Sequence, residues 1–395
     1  MKNFVKRNKI ILLIVCFIMI VLTMGCQKET IKQEVNSSIE ESGGRSQTSE
    51  SENTEKIQET LVEYKMIEES STRIITDMAN RVVEIPKDIH SIFAVNNSSS
   101  IFLYTLAPDL MIGWNSELSE KSKGFLNEAY TDLPALGMLF GNSKKMNPET
   151  IIAAAPDFLL FVFAGITESQ IEAADNLETK TGIPVVMVDG GIDTYDEAYI
   201  FMGEVINRKE HAGELADFCI ETLEHITELT ENISEDMMKK VYYARGEDGL
   251  TTEPEGSVNQ ELLSNVGVVN IISEDMTQQS NAVVSIEQIM AGDPDVILIG
   301  SAGFSIEGSL DYIENGIGWL NINAVMNESV YKIPQLPFNW FDRPPSVNRI
   351  IGLEWLAYTL YPENYDKEFN QILIAYFDLF YHIELKEGQI QTLIK

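Results

Sequence analysis

One stretch of this chain is written twice. Residues 146–163 read MNPETIIAAAPDFLLFVF, and residues 284–300 read VSIEQIMAGDPDVILIG. Each opens on a polar residue suited to accept the first free N–H groups of a helix, Asn147 in one copy and Ser285 in the other. A short helix follows with a glutamate early in it, Glu149 or Glu287, then a Pro-Asp pair and an apolar run. Proline cannot continue a helix, so Pro156 and Pro294 each turn the chain into a buried strand. A helix–strand unit that returns so far along the chain implies two similar halves.

The remaining pattern fits that plan. Residues 81–86 (RVVEIP) alternate like an edge strand, and residues 91–95 form a short buried strand leading into Asn96-Asn97-Ser98-Ser99-Ser100. Strands and helices alternate from there, the signature of a mostly parallel sheet with helices on its faces. Between the two copies, Leu215, Cys219, Thr222, Ile226, Leu229 and Ile233 recur at spacings of three and four, one apolar stripe on a long helix. At 1.5 Å per residue such a helix spans ~40 Å. The expected fold class is α/β: two Rossmann-like lobes with mostly parallel sheets, residues 73–206 and 236–395, joined by one long rigid helix at 207–235.

The N-terminus carries Lys2, Lys6, Arg7 and Lys9, then an apolar run to residue 24, then Gly25-Cys26. This is the plan of a signal sequence, and the run is shorter than the ~20 residues a comfortable membrane span needs. Gly25-Cys26 resembles the cleavage and lipidation site of bacterial lipoproteins, which makes 1–26 the expected signal peptide and Cys26 the lipid-bearing residue. Thr23 stands where leucine is usual, with Leu22 one place further back; an uncleaved anchor is the alternative. Residues 27–72 are rich in Glu, Ser, Thr, Gln and Asn without apolar periodicity and read as a flexible tether. The protein is expected at the cell membrane, lipid-anchored on its extracytoplasmic face, as a monomer. Of the three cysteines, Cys16 lies in the leader and Cys26 at its end. Cys219 is left as a small packing residue with no disulfide partner.

The net charge of −33, from 61 acidic and 28 basic residues, repels nucleic acid and names no ligand by itself. None of the four histidines, His90, His211, His225 and His382, falls in the loops expected to line a cleft, so a bare manganese or zinc site is not expected. The chain has no Gly-x-Ser-x-Gly elbow, phosphate-binding loop or dinucleotide fingerprint. Neither an enzyme nor a cofactor is expected.

Five phrases stand in order along the chain: TDMANRVVEIP, MNPETIIAAAPDFLL, YYARGEDGLTTEPEGSVNQELLSNVGVVNI, VSIEQIMAGDPDVILIG and WLNINAVMNESVYKIPQLPFNWFDRPPSVNRIIGLEWLAYTLYP. Together they resemble the helix-linked (class III) ABC-importer substrate-binding proteins for ferric siderophores, haem and vitamin B12, over nearly everything from Arg73 onward. The resemblance implies capture of an iron-chelate type ligand between the lobes and its delivery to a permease with its ATPase. A small oxyanion such as molybdate or tungstate is the alternative ligand; a sensor or adhesin is a more remote one. It further implies that Glu149 and Glu287 dock on permease arginines. A carboxylate in a helix's first turn is favoured by the macrodipole and pairs bidentately with a guanidinium.

For the ligand, the resemblance implies Asn97, Ser98, Trp114, Phe140 and Gly141 from the first lobe. From the second it implies Tyr243, Arg245, Gly300, Ser301, Asn339, Trp340 and Arg343. Aromatic rings can cover a chelate and arginines can neutralise an anion. Core packing is the competing reading for every ring.

Overall fold

Two Pro-Asp corners set the sheets of the computed structural model, which describes residues 71–139, 145–273, 281–300 and 306–394. The leader, Cys26 and the tether up to residue 70 lie outside the described residues.

The strands are β1 (Thr72–Thr76), β2 (Val82–Pro86), β3 (Ile92–Ala94), β4 (Phe158–Phe163), β5 (Val185–Asp189), β6 (Lys240–Ala244), β7 (Thr251–Thr252), β8 (Val269–Asn270), β9 (Ala282–Val283), β10 (Val296–Ile299) and β11 (Val330–Lys332). Leaving single-turn segments aside, the helices are α1 (Asn97–Leu106), α2 (Pro148–Ala154), α3 (Glu168–Thr181), α4 (Tyr195–Val205), α5 (Lys209–Glu231), α6 (Glu261–Asn265), α7 (Ile286–Gly292), α8 (Ile306–Asn315), α9 (Asn348–Leu360), α10 (Phe369–Tyr381) and α11 (Glu387–Leu393). A parallel sheet ordered β3-β4-β5 precedes α5, and a parallel sheet ordered β11-β10-β6-β8 follows it. The hairpin β1-β2 places Val83 and Ile85 inward and Val82 and Glu84 outward, the alternation expected of an edge strand.

The repeated unit is repeated in its geometry. Asn147 caps α2 by accepting from Glu149 N, and Ser285 caps α7 by accepting from Gln288 N. Both helices end on a left-handed residue, Ala155 and Asp293, each at φ 47°. The N–H groups of these residues return to Ile151 O and Ile289 O at 3.0 Å. The aspartate after each proline then grips the start of the neighbouring strand. The Asp157 carboxylate accepts from His90 N (2.6 Å) and Ser91 N (2.9 Å) just before β3. The Asp295 carboxylate accepts from Lys240 N (2.8 Å), the first residue of β6. Each grip sets a register, Ile92 opposite Phe158 and Val241 opposite Val296, so β4 and β10 become interior strands.

Helix α5 buries Leu215, Cys219, Thr222, Ile226 and Leu229, the stripe read from the sequence. It touches α1 and α4 from before it and α6, α9 and α10 from after it. Its 23 residues are roughly 35 Å long. The late helix α10 returns to the first half. Its Phe377, Phe380 and Tyr381 lie 6.1, 6.0 and 5.8 Å from Phe125, Tyr199 and Tyr104.

Removing the Asp157 carboxylate strands two backbone donors, whereas removing that of Asp295 strands one at a more exposed corner. Asp157→Ala is expected to cost about 1–3 kcal/mol and Asp295→Ala less, read from urea unfolding midpoints. The reverse order would contradict the role assigned to these corners.

Candidate ligand-binding site

Parallel strands deliver the loops that follow them to one edge of each sheet, the usual place for a ligand in open α/β sheets. After β3, Asn96 accepts from Ser99 N (2.8 Å) and donates to Val162 O (3.2 Å), while Ser99 Oγ accepts from Val162 N (2.7 Å). These two residues build the loop. Asn97, half-buried, and Ser98, buried, sit between them at the start of α1, and neither side chain has a hydrogen-bond partner among the described residues. The Trp114 indole N–H donates to Tyr130 O at 2.8 Å, and its ring lies 5.3 Å from Tyr104 and 5.8 Å from Phe338. Trp114 is therefore packed, and it brings the first half against the 334–343 segment of the second. Phe140, Gly141 and Ser301 lie outside the described residues.

The second half assembles a buried charge network. Arg245 follows β6, and its backbone pairs with Thr251 on the far side of a tight turn. Two residues beyond Thr251, on the same side of the strand, stands Glu253. The completely buried Glu253 carboxylate accepts from Arg245 Nη1, from Arg343 Nη2 at 3.0 Å and from Ser257 Oγ at 3.0 Å. Arg245 is itself buried, with its guanidinium carbon 5.8 Å from the Tyr243 ring centroid.

The buried Tyr243 hydroxyl donates to Asp342 Oδ2 at 2.7 Å, and the Arg343 Nε lies 3.6 Å from the same oxygen. Burial is the main reason the Asp342 carboxyl titrates above its usual range, against the lowering pull of Tyr243, Arg245 and Arg343. Its Oδ1 has no hydrogen-bond partner. Arg343 alone of the two arginines reaches the surface, its side chain 42% exposed.

Small residues let this network close. A Cβ on Gly300 would lie 2.3 Å from the Tyr243 hydroxyl oxygen. Asn339 does not face outward: its Oδ1 accepts from Phe341 N (2.6 Å) and Asp342 N (2.8 Å), which fixes the turn that carries Arg343. Trp340 is completely buried, its indole N–H donating to Leu336 O at 2.9 Å. Thus Tyr243, Arg245, Gly300, Asn339 and Arg343 are brought together, and Trp340 and Trp114 lie in the packing beneath.

Glu253 does not stand out from the sequence. The signal for Glu253 was the Gly246-to-Gly249 turn, which folds Thr251 back onto Arg245. A third residue, the buried Arg349, donates to Glu261 Oε2 (2.6 Å) and to Gly190 O (3.1 Å) beyond β5, tying the two halves together. Glu149 and Glu287 are exposed in the first turns of α2 and α7. Glu287 titrates below its usual range, because of its own backbone N–H first and the Ser285 hydroxyl second. Among the described residues no cluster of His, Cys, Asp and Glu is placed to hold a metal ion, and no helix is long and apolar enough to cross a membrane.

Residues 103–336 match the sequence profile of the family described as periplasmic binding protein, and the chain belongs to that family. It is an ABC-transporter solute-binding protein of the class III type, a binding protein rather than an enzyme, whose partners are a permease and a small ligand and whose place of work is outside the cytoplasm. An ABC transporter solute-binding protein from Sulfurospirillum deleyianum superposes with a TM-score of 0.73 at 30% identity, covering 81% of this chain and 98% of that one. The molybdate-binding protein MolA of Haemophilus influenzae is 23% identical over 342 residues, 80% of this chain and 92% of the relative. A vitamin B12-binding protein of Salmonella paratyphi A is 27% identical over 201 residues, 50% of this chain and 67% of the relative.

Since the Asp342 carboxyl is raised, the folded state holds more protons than the unfolded state between the ordinary and the raised value. Its contribution to stability therefore falls as pH rises through that window. Asp342→Asn keeps an acceptor for Tyr243 and is expected to flatten this part of the pH–stability curve, measured by urea unfolding from acid to neutral pH. Identical curves for both proteins would contradict the burial-driven shift.

Proposed function

We propose that this protein is a lipid-anchored, monomeric receptor whose lobes, residues 73–206 and 236–395, hinge on residues 207–235 and close on a compact oxyanion of the molybdate class. Cys26 carries the lipid, 27–72 form the tether, and Glu149 and Glu287 present the loaded receptor to the permease and its ATPase.

The observation that carries the ligand reading is the state of Arg343. It is a half-exposed cation on a rigid turn, backed by a second guanidinium and by the completely buried Glu253. Two guanidiniums share one Glu253 oxygen, so neither is fully matched by a carboxylate of its own there, and Arg343 is the one that reaches the surface. Asn97 and Ser98 supply free polar groups at the start of a ten-residue helix, where anions are favoured. The iron-chelate reading asks instead for rings lining a broad cleft. Trp114, Tyr243, Trp340 and Phe341 are all buried. A relative matched over 92% of its own length is named for molybdate, which agrees with this reading, against 67% for the one named for vitamin B12.

Thermal unfolding with molybdate, tungstate, sulfate, a ferric siderophore, haem or cobalamin tests it. The two metal oxyanions are expected to stabilise the protein, by about 2.7 kcal/mol at a concentration 100 times Kd. Arg343→Ala is expected to lose that shift and keep its ligand-free unfolding temperature within a few degrees. Stabilisation by a chelate alone would overturn the oxyanion reading in favour of the iron-chelate one. Separately, Glu149→Ala with Glu287→Ala is expected to abolish uptake in cells while leaving ligand affinity unchanged; normal uptake would end the docking assignment.

A further inference from the structure

The duplicated unit also repeats an exposed apolar side chain. Counting from the caps, Ile151 corresponds to Ile289 and Ile152 to Met290. The first pair is fully buried and anchors each helix on its sheet. The second pair points outward, Ile152 at 44% and Met290 at 42% exposure. Each lies three residues after its helix's glutamate, a spacing that puts the two side chains next to one another on one face. A single exposed isoleucine or methionine is ordinary on a protein surface. The same pairing at the same register in both halves is not explained by packing, since the buried neighbour already holds each helix in place. A further exposed isoleucine lies close in the chain to the contact that the second copy makes. Gly318 packs against Ile286, where an added Cβ would lie 2.8 Å from Cγ1, and its neighbour Ile317 is 88% exposed.

Resting on the docking role proposed for Glu149 and Glu287, we infer that Ile152 and Met290 are apolar anchors that enter a pair of equivalent pockets on the permease, each beside the cation its glutamate meets. The partner presents, twice, a basic group next to a shallow apolar depression. Two alternatives fit less well. A second copy of this chain would set carboxylate against carboxylate, which repels. An anionic lipid surface would meet a chain of net charge −33 and two helices without a lysine or arginine. Division of labour follows from the chemistry: the carboxylates give salt-sensitive steering and orientation, and the apolar pair gives salt-insensitive affinity.

The test is binding of the full-length, lipid-anchored receptor to its permease–ATPase complex in nanodiscs, at about 50 mM and about 500 mM salt. Two double variants are compared with wild type, Ile152→Ser with Met290→Ser and Glu149→Gln with Glu287→Gln. Thermal unfolding, with and without molybdate, serves as the control for folding and ligand binding. The serine variant is expected to lose at least about tenfold in permease affinity at both salts, with unchanged unfolding and an unchanged ligand response. The glutamine variant is expected to lose affinity mainly at low salt. Wild-type affinity in the serine variant, alongside a loss in the glutamine variant, overturns this inference and leaves the docking role of the glutamates standing. Wild-type affinity in the glutamine variant overturns the docking role itself.

Discussion

The aspartate after each proline is the small device on which the architecture rests. Asp157 and Asp295 take the backbone N–H groups that open the neighbouring strand, at 2.6–2.9 Å, and so lock the register of each parallel sheet. A one-residue slip in a strand would send its side chains to the opposite face. With the register fixed, β4 and β10 run through the middle of their sheets, and every loop after a strand arrives at the same edge. Those loops bring Asn97 and Ser98 to one sheet's edge and Arg245, Gly300 and Arg343 to the other's. The anchor helices α2 and α7 are fixed by the same corners, so these loop edges and the exposed glutamates are positioned by one local motif used twice.

Energetically the loop edge of the second sheet that carries Arg245 and Arg343 depends on Glu253. A guanidinium as buried as that of Arg245 is tolerated only beside an opposite charge. Glu253 supplies that charge and holds Arg343 through the same oxygen. Arg343 is consequently held in direction rather than free to sample solvent, and a side chain ordered in advance has less entropy left to lose on contact with any partner. Gly300 and Asn339 serve this arrangement through packing and turn geometry: one leaves room for Tyr243, the other folds the turn that carries Asp342 and Arg343.

Much of this was legible in the sequence, for reasons that have physical content. The echoed segments, their caps and the apolar stripe of α5 are local patterns, and local patterns translate directly into helices and strands. The long helix came out slightly shorter than the span 207–235, because its stripe continues past the last turn into Ile233, which is buried outside the helix. The aromatic residues illustrate the opposite case. Trp114 and Trp340 stand in loops that precede or follow strands, but a tryptophan's place in a loop does not say which way its ring turns; each ring turned inward and spent its N–H on a carbonyl. Glu253 was invisible because acidic residues are abundant in this chain, and only the turn that pairs Arg245 with Thr251 distinguishes it from the rest. The return of α10 onto Tyr104, Phe125 and Tyr199 is a contact between distant parts of the chain that no local period encodes.

The family relationship fixes the class of work, capture of a small solute for an ABC transporter, and leaves its chemistry to be read from the charge arrangement around Arg343. The most direct measurement is the anomalous diffraction of crystals grown with molybdate. The account predicts one strong molybdenum peak within hydrogen-bonding reach of the Arg343 guanidinium, between the loops that follow β3 and those that follow β6 and β10. A well-ordered peak elsewhere on the molecule, or an empty cleft at saturating molybdate, would contradict it.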